Sequence, residues 1–362
     1  MSMNLNDFRD PELARELIET IDHLCEGRSI NLMEVCGTHT VSIGRYGLRG
    51  AMPEGLKLLS GPGCPVCVTS NHDIDAAIAM ARVPGAIVAT FGDMMRVPGS
   101  TTTLGAEKAA GADVRVVYSP LDALQIARDN PDRPVIFIGV GFETTTPVVG
   151  ASIQMAAEEG LDNYYVYAAH KSTAPALDAI ANDPETKVDG FILPGHVSTV
   201  TGLAPYEFLA ETYRVPGVVS GFEPVDILNG VARLVAMVDH DEAAIENAYG
   251  RGVQDCGNPA AQAIIEDVFE PCDATWRGLG VIPASGLRIR EAYAGHDAMR
   301  VFDPEVEPTR ETRGCRCGDV LRGVIAPNEC PLFDRACTPE NPVGPCMVSS
   351  EGSCAAYWRY QR

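Results

Sequence analysis

Leu56-Lys57-Leu58-Leu59-Ser60 runs directly into Gly61-Pro62-Gly63-Cys64-Pro65-Val66-Cys67, and the reading of this stretch decides the fold. The first five residues form a short, mostly apolar strand. Two thiols follow in a loop that prolines stiffen and glycines loosen. Thr69, Ser70 or Asn71 can then cap a helix that carries Ile74, Ala77, Ile78 and Ala81 at helical spacing. Strand, loop and helix in succession is the repeating unit of a parallel sheet. A helix N-terminus favours thiolate, so at least one of Cys64 and Cys67 is expected to be acidified. A Cys-x-x-C between glycines and prolines points to redox or metal chemistry rather than to two small core residues.

The same unit recurs on both sides. Residues 11–26 carry Leu13, Leu17, Ile18, Ile21 and Leu24 on one helical face, with Cys25 as a buried small residue. A strand over 30–35 runs into Cys36-Gly37-Thr38-His39-Thr40. Further strands are expected over 86–91, 114–118, 134–140, 164–168, 190–193 and 215–220. Ser119 caps the helix that Pro120 begins, and the last two strands precede Pro194-Gly195-His196 and Gly221-Phe222-Glu223-Pro224. Strands alternating with helices give an α/β fold, and their nearly continuous apolar character implies helices on both faces of parallel sheets. Almost every unusual polar motif falls where a strand ends, the edge at which open α/β sheets bind ligands. Two such domains facing each other would bring Cys36, Cys64, Cys67, Glu143 and His196 to one cleft. The expected division is 1–132 for the domain with Cys36 and the thiol pair, 133–240 for a second α/β domain, and 241–362 for a C-terminal region in which the rhythm stops.

The bulk properties narrow the function. A net charge of −21 argues against a general surface for nucleic acid or anionic membrane. No apolar run reaches membrane-spanning length, and Met1–Asp10 carries no signal-peptide pattern, so a cytoplasmic location is expected. Twelve cysteines in a reducing compartment call for metal or redox chemistry, or burial, rather than disulfides.

Six of the twelve lie in the tail: Cys315, Cys317, Cys330, Cys337, Cys346 and Cys354. The segment has little apolar periodicity, so a metal centre is the natural staple. Zinc ribbons show paired Cys-x-x-C knuckles, which are missing here. The wide spacing Cys317-x12-Cys330-x6-Cys337-x16-Cys354 suits a [4Fe–4S] cluster gripped from several loops better than zinc.

Taken in order, the motifs closely resemble those of the HypD family of [NiFe]-hydrogenase maturation factors. They are Met33-Glu34-Val35-Cys36-Gly37-Thr38-His39, the thiol loop, Phe91-Gly92-Asp93-Met94-Met95-Arg96-Val97-Pro98-Gly99 and Gly141-Phe142-Glu143-Thr144-Thr145. Pro194-Gly195-His196-Val197-Ser198, Gly221-Phe222-Glu223-Pro224, Cys330-Pro331-Leu332-Phe333, Met347–Gly352 and Cys354-Ala355-Ala356 complete the set. Val41 stands where many members carry a second histidine, so a role for that histidine does not carry over.

The resemblance implies two similar α/β domains around a cleft and a C-terminal iron–sulfur region. It implies a scaffold that, with the small partner HypC, holds iron while two cyanides and one carbon monoxide are attached as an Fe(CN)2CO unit. HypE supplies the cyanide, and the hydrogenase large subunit receives the product. Cys36 would match the iron-holding cysteine, and Cys64 and Cys67 the redox pair. Cys317, Cys330, Cys337 and Cys354 would match the cluster ligands, with Cys315 and Cys346 in reserve. The chemistry agrees: low-spin iron carrying cyanide and carbon monoxide wants a soft thiolate anchor. A Cys-x-x-C stores two electrons while a cluster passes one at a time. His39, Glu143 and His196 could handle protons or simply satisfy loop backbone. The rival is a stand-alone iron–sulfur or thiol oxidoreductase. No Gly-x-Gly-x-x-Gly follows a strand to bind its dinucleotide, and stand-alone turnover is not expected. A purely structural adaptor would leave Cys36, Cys64 and Cys67 without a role.

Overall fold

The structure, a computed structural model, describes residues 8–310 and 312–362. The part of Met1–Asp10 before residue 8, read above for a leader pattern, lies outside the described residues. The strands are β1 (Ile30–Glu34), β2 (Leu56–Ser60), β3 (Ile87–Thr90), β4 (Asp113–Val116), β5 (Val135–Gly139), β6 (Tyr164–Ala168), β7 (Gly190–Pro194), β8 (Gly217–Ser220), β9 (Ile245–Asn247), β10 (Phe269–Trp276) and β11 (Gly280–Ile289). The first eight fall where the apolar runs place them. Local signals hold at helix starts too: Ser70 accepts from Asp73 N at 3.1 Å ahead of Asn71–Ala81, and Ser119 with Asp122 forms a capping box ahead of Pro120–Asp129.

Two parallel sheets result. The first has the order β2-β1-β7-β8-β9 and the second β4-β3-β5-β6, while β10 and β11 pair as an antiparallel hairpin. The expected boundary at 132/133 therefore does not separate the sheets. It falls between β4 and β5, both in the second sheet, and the first sheet is assembled from two distant stretches, β1–β2 and β7–β9. Alternation identifies each strand–helix unit but not its neighbour, which long-range packing selects. The region after 240 also holds more regular structure than expected. β9 completes the first sheet, the helix Pro259–Val268 packs on the helix Thr146–Glu159, and the hairpin follows. Along β10, buried and half-exposed positions alternate with exposed ones around Pro271 and Cys272, which hides the strand from an apolar-run reading.

Helices cover both faces of each sheet. On the first, Ile21, Leu228 and Leu234 pack on Ile30 and Leu32, and Leu177 and Leu209 join Phe191 and Leu193 opposite. On the second, Ile74 and Ile78 meet Val88 and Ile136, and Leu124 and Ile153 meet Phe137 and Val166. Each such side chain contributes ~1.5–3 kcal/mol of burial. A further cluster sits beyond the strand ends. It joins Cys64, Cys67 and Val68 of the thiol loop, Phe142 from the second sheet, Val197 from the first, Trp276 of the hairpin, and the tail residues Cys317, Cys330, Cys337, Cys346 and Cys354. The tail is thus part of the core that bridges both sheet edges.

Candidate functional site

Cys36 lies just past β1 and is the N-cap residue of the helix Gly37–Arg45, a segment the sequence reads only as a loop. The thiol is 7% exposed. Burial pushes it up to about 12, Glu351 adds to the rise, and the backbone N–H groups of Thr38 and His39 oppose it. Glu351 comes from the tail and accepts from Thr38 Oγ1 at 2.7 Å. It approaches so closely that a Cβ on Gly37 would stand 2.6 Å from the Glu351 Cβ. Beneath Cys36 the fully buried Glu34 accepts from Thr40 Oγ1 at 2.6 Å and from the Cys36 amide at 3.2 Å. Burial raises its carboxyl to about 7, against hydrogen bonds from Thr40 and Ser60.

His39 is fully buried, with Nε2 2.8 Å from the Gly221 carbonyl. A carbonyl only accepts, so Nε2 carries the proton and Nδ1, which has no partner, keeps a free lone pair. Burial holds its pKa down to about 4, so the ring is neutral. Phe222 lies between two imidazoles, with His39 at 4.7 Å and His196 stacked at 4.0 Å between ring centroids. His196 is exposed; burial of part of its ring lowers its pKa, with Glu351 opposing. Three strand ends of the first sheet, those of β1, β7 and β8, thus supply Cys36, His39, His196 and Phe222 to one edge.

The thiol loop joins this edge through backbone. Gly61 N donates to the Glu34 carbonyl at 2.8 Å, and Gly37 N donates to the Gly63 carbonyl at 3.0 Å. Cys64 caps a separate short helix, Pro65–Val68, and its Sγ accepts from Cys67 N at 3.4 Å. The long helix begins only at Asn71, so the thiols do not sit at its N-terminus. The expected acidification does not occur at Cys67. Its thiol is 0% exposed and lies beside Cys346 and Cys64, and burial first, then both neighbours, push it well above the ordinary thiol range.

All six tail cysteines line one pocket, together with Leu332, Phe333, Gly344 and Met347. Among the described residues of that lining, sulfur is the only side-chain heteroatom. Among the described residues no three His, Cys, Asp or Glu side chains form a group that could hold a single metal ion. Cys346, read from sequence as a reserve residue, occupies the key position: its sulfur lies beside both Cys317 and Cys67, neighbours that hold it below the ordinary thiol range. Cys315 contacts Cys317 in turn and is raised by it. The thiols therefore form one row, from the Cys64/Cys67 pair through Cys346 to Cys317 and Cys315.

Glu143 is placed differently. Both carboxylate oxygens are taken by Thr173, from its N and its Oγ1, each at 2.7 Å, which caps the helix Thr173–Ala181. Burial raises its pKa. The hairpin tip Trp276-Arg277 also reaches the thiol loop: Trp276 pairs with Thr69 in an isolated bridge, and Arg277 N donates to the Val68 carbonyl at 2.9 Å. The sequence carries no local signal for that contact; it depends on the fold.

Against known proteins, the HypD family model, described as "Hydrogenase formation hypA family", matches residues 12–361. The chain is 49% identical to a hydrogenase maturation factor HypD of Rhodobacter capsulatus, over 98% of this chain and 97% of that one. It is 43% identical to the HypD of Escherichia coli, over 99% and 98%. A putative hydrogenase expression/formation protein of Methanocaldococcus jannaschii is 42% identical over 98% and 99%.

Proposed function

The chain belongs to the HypD family, and from that premise we propose that it serves hydrogenase maturation as the scaffold on which an iron ion receives two cyanides and one carbon monoxide. The iron is cargo, and Cys36 is its protein anchor, with HypC supplying a second cysteine. The reading is supported by the donor atoms gathered at that edge: a soft thiol at Cys36 and the unpartnered Nδ1 of His39. HypE would deliver cyanide, and the large subunit of the hydrogenase would take the finished unit. No helix among the described residues is long and apolar enough to cross a membrane, and the proposed site of action is the cytoplasm.

Burial keeps Cys36 protonated until metal arrives, so loading iron must release a proton. The carboxyl groups of Glu351 and Glu34 lie near enough to the thiol to act on it and are the acceptors proposed for that proton. The soft, all-sulfur pocket of the tail fits a [4Fe–4S] cluster held by Cys330, Cys337 and Cys354, with Cys317 or Cys346 completing the set. When bound, such a cluster supplies or accepts one electron at a time. Cys64 and Cys67 give up two electrons and two protons on closing to a disulfide, and regain them on opening. The single observation that carries the reading is the row of thiols from Cys67 through Cys346 to the pocket, with Cys64 next to Gly63, whose carbonyl accepts from Gly37 N beside Cys36.

Infrared spectroscopy of the protein purified with its small partner tests the proposal. Cyanide and carbon monoxide stretches on iron are expected; their absence from material that supports maturation in cells would remove it.

A further inference from the structure

The loop Gly221-Phe222-Glu223, which supplies the carbonyl that His39 meets, is gripped from two distant parts of the chain. In the first turn of the helix Pro224–Asp239, the buried Asp226 accepts from Glu223 N at 3.2 Å through Oδ2. Its carboxylate also takes both terminal nitrogens of Arg251. One donates to Oδ1 at 2.6 Å and the other to Oδ2. Such a fork fixes direction as well as charge. The same carboxylate lies so close to the loop that a Cβ on Gly221 would overlap Oδ2. Arg251 is held in turn against the rings of Phe8, 3.7 Å from the centroid, and Tyr249, 4.8 Å away. Arg9, next to Phe8, donates to the Glu223 carboxylate at 2.5 Å through Nε and at 2.8 Å through a terminal nitrogen. Neither arginine belongs to the ordered set of sequence motifs.

The Gly221 carbonyl accepts from His39 Nε2 at 2.8 Å and from Ser220 Oγ at 3.1 Å, so its direction decides which imidazole nitrogen holds the proton. A histidine offered to a metal is commonly fixed in this way, by an acceptor on its other nitrogen. We propose that Arg251, acting through Asp226, is a positioning residue that locks His39 in the Nε2–H tautomer and so keeps the Nδ1 lone pair available to incoming iron. The inference rests on the reading of Cys36 and His39 as the donors of the iron edge. It makes a salt bridge outside the donor set part of that edge. Without the guanidinium, Asp226 becomes a buried carboxylate lacking its counter-charge, and the loop it braces has to move. The Gly221 carbonyl then leaves Nε2, and one tautomer is no longer selected over the other.

The test is a long-range proton–nitrogen correlation spectrum of full-length protein labelled with nitrogen-15 histidine, recorded at neutral pH before iron is added. A His39→Ala sample assigns the His39 signals. Wild-type His39 should show the Nε2–H pattern alone. Arg251→Gln should show both tautomers in exchange, with His170 and His296, beside β6 of the second sheet, unmoved. Arg251→Lys, which keeps the charge but not the fork, should restore part of the wild-type pattern. Ferrous iron affinity, measured by chelator competition, should fall about 10–100-fold in Arg251→Gln, the usual cost of losing an outer-shell partner. If Arg251→Gln fails to fold, Asp226→Asn decides, because one amide oxygen cannot replace the two that Arg251 and Glu223 N share. Wild-type protein that already mixes tautomers overturns the inference. So does a folded variant that keeps the wild-type tautomer, or one that mixes tautomers yet binds iron as tightly as wild type. His39→Ala protein that binds iron as tightly as wild type overturns instead the reading on which it stands.

Discussion

Gly63 lies directly against Cys36. The Gly63 carbonyl accepts from Gly37 N at 3.0 Å, and a Cβ at Gly63 would overlap the nitrogen and Cα of Cys36. The residue beside the first thiol of the pair therefore touches the backbone of the proposed iron anchor. Both partners in that clash are main chain, which cannot turn aside as a flexible side chain could. Gly63→Ala should destabilise the protein by about 2–4 kcal/mol, within the range of steric core substitutions. Urea unfolding midpoints measure this; a variant as stable as wild type would show that the two loops separate freely.

Cys36→Ala should fold, keep its tail cluster and lose the cyanide and carbon monoxide bands. Iron binding at the wild-type site should also depend on pH. The buried thiol ionises only near 12, so below that pH each ion bound displaces one proton. Affinity should rise about tenfold per pH unit as pH increases. Chelator competition at several pH values checks the slope, and a flat profile would mean that no thiol proton is released.

Cys64→Ser should retain the fold, since the hydroxyl is close in size, and should abolish maturation of a hydrogenase in cells. Thiol titration should find two fewer free thiols in oxidised wild-type protein than in reduced protein, and no such difference in the variant. Full hydrogenase activity with Cys64→Ser would make the pair structural.

Among the tail cysteines, Cys346→Ala should cost more than Cys315→Ala. Cys346 is 1% exposed, held toward thiolate and in contact with both Cys317 and Cys67. Cys315 is partly exposed and strongly held as thiol by Cys317. Iron and sulfide analysis should fall from about four each per chain, the content of a cubane, with Cys346→Ala and remain near that value with Cys315→Ala. Equal loss in both would mean that position in the thiol row does not rank them.

That ranking reverses nothing in composition; it comes from three-dimensional neighbours. The sequence makes Ile30–Glu34, Leu56–Ser60 and Val135–Gly139 legible as strands because each is a compact apolar run beside a turn. It makes Cys36 and Cys64/Cys67 legible as one site because motifs at parallel strand ends share an edge. It does not reveal that β1 pairs with β7, since pairing across so long a separation leaves no local trace. For the same reason Cys346 and Arg277 stay hidden: their neighbours Cys67 and Val68 are remote in the chain. Glu143 is the converse case. It stands in a motif at a strand end, yet Thr173 takes both its oxygens.

His170 offers a test away from the iron edge. It is 2% exposed, neither ring nitrogen has a partner, and burial holds its pKa down to about 4 from 6.5. Its folded pKa is depressed, so the unfolded chain takes up the proton first as pH falls. The stability present above pH 6.5 is then lost progressively towards pH 4. At pH 5 the loss from this group is about 2 kcal/mol. His170→Leu should remove it, so the difference between variant and wild-type unfolding free energies should move by that amount in the variant's favour between pH 7.5 and pH 5. Parallel pH profiles would show that His170 finds a proton partner.

The interrupted first sheet has a consequence for how the protein comes into being. β1 ends at Glu34, but its inner neighbour β7 begins only at Gly190, after the whole of the second sheet. At about 5–20 residues per second, a ribosome emits the first of these strands roughly 10–30 s before the second. Throughout that interval the nascent chain presents an unpaired apolar edge, with Cys36 and the Cys64/Cys67 loop beside it. The second sheet can close meanwhile, because its four strands are contiguous in the chain. The proposed iron edge is therefore completed last, and a chaperone that shields β1 during synthesis would shield these thiols as well.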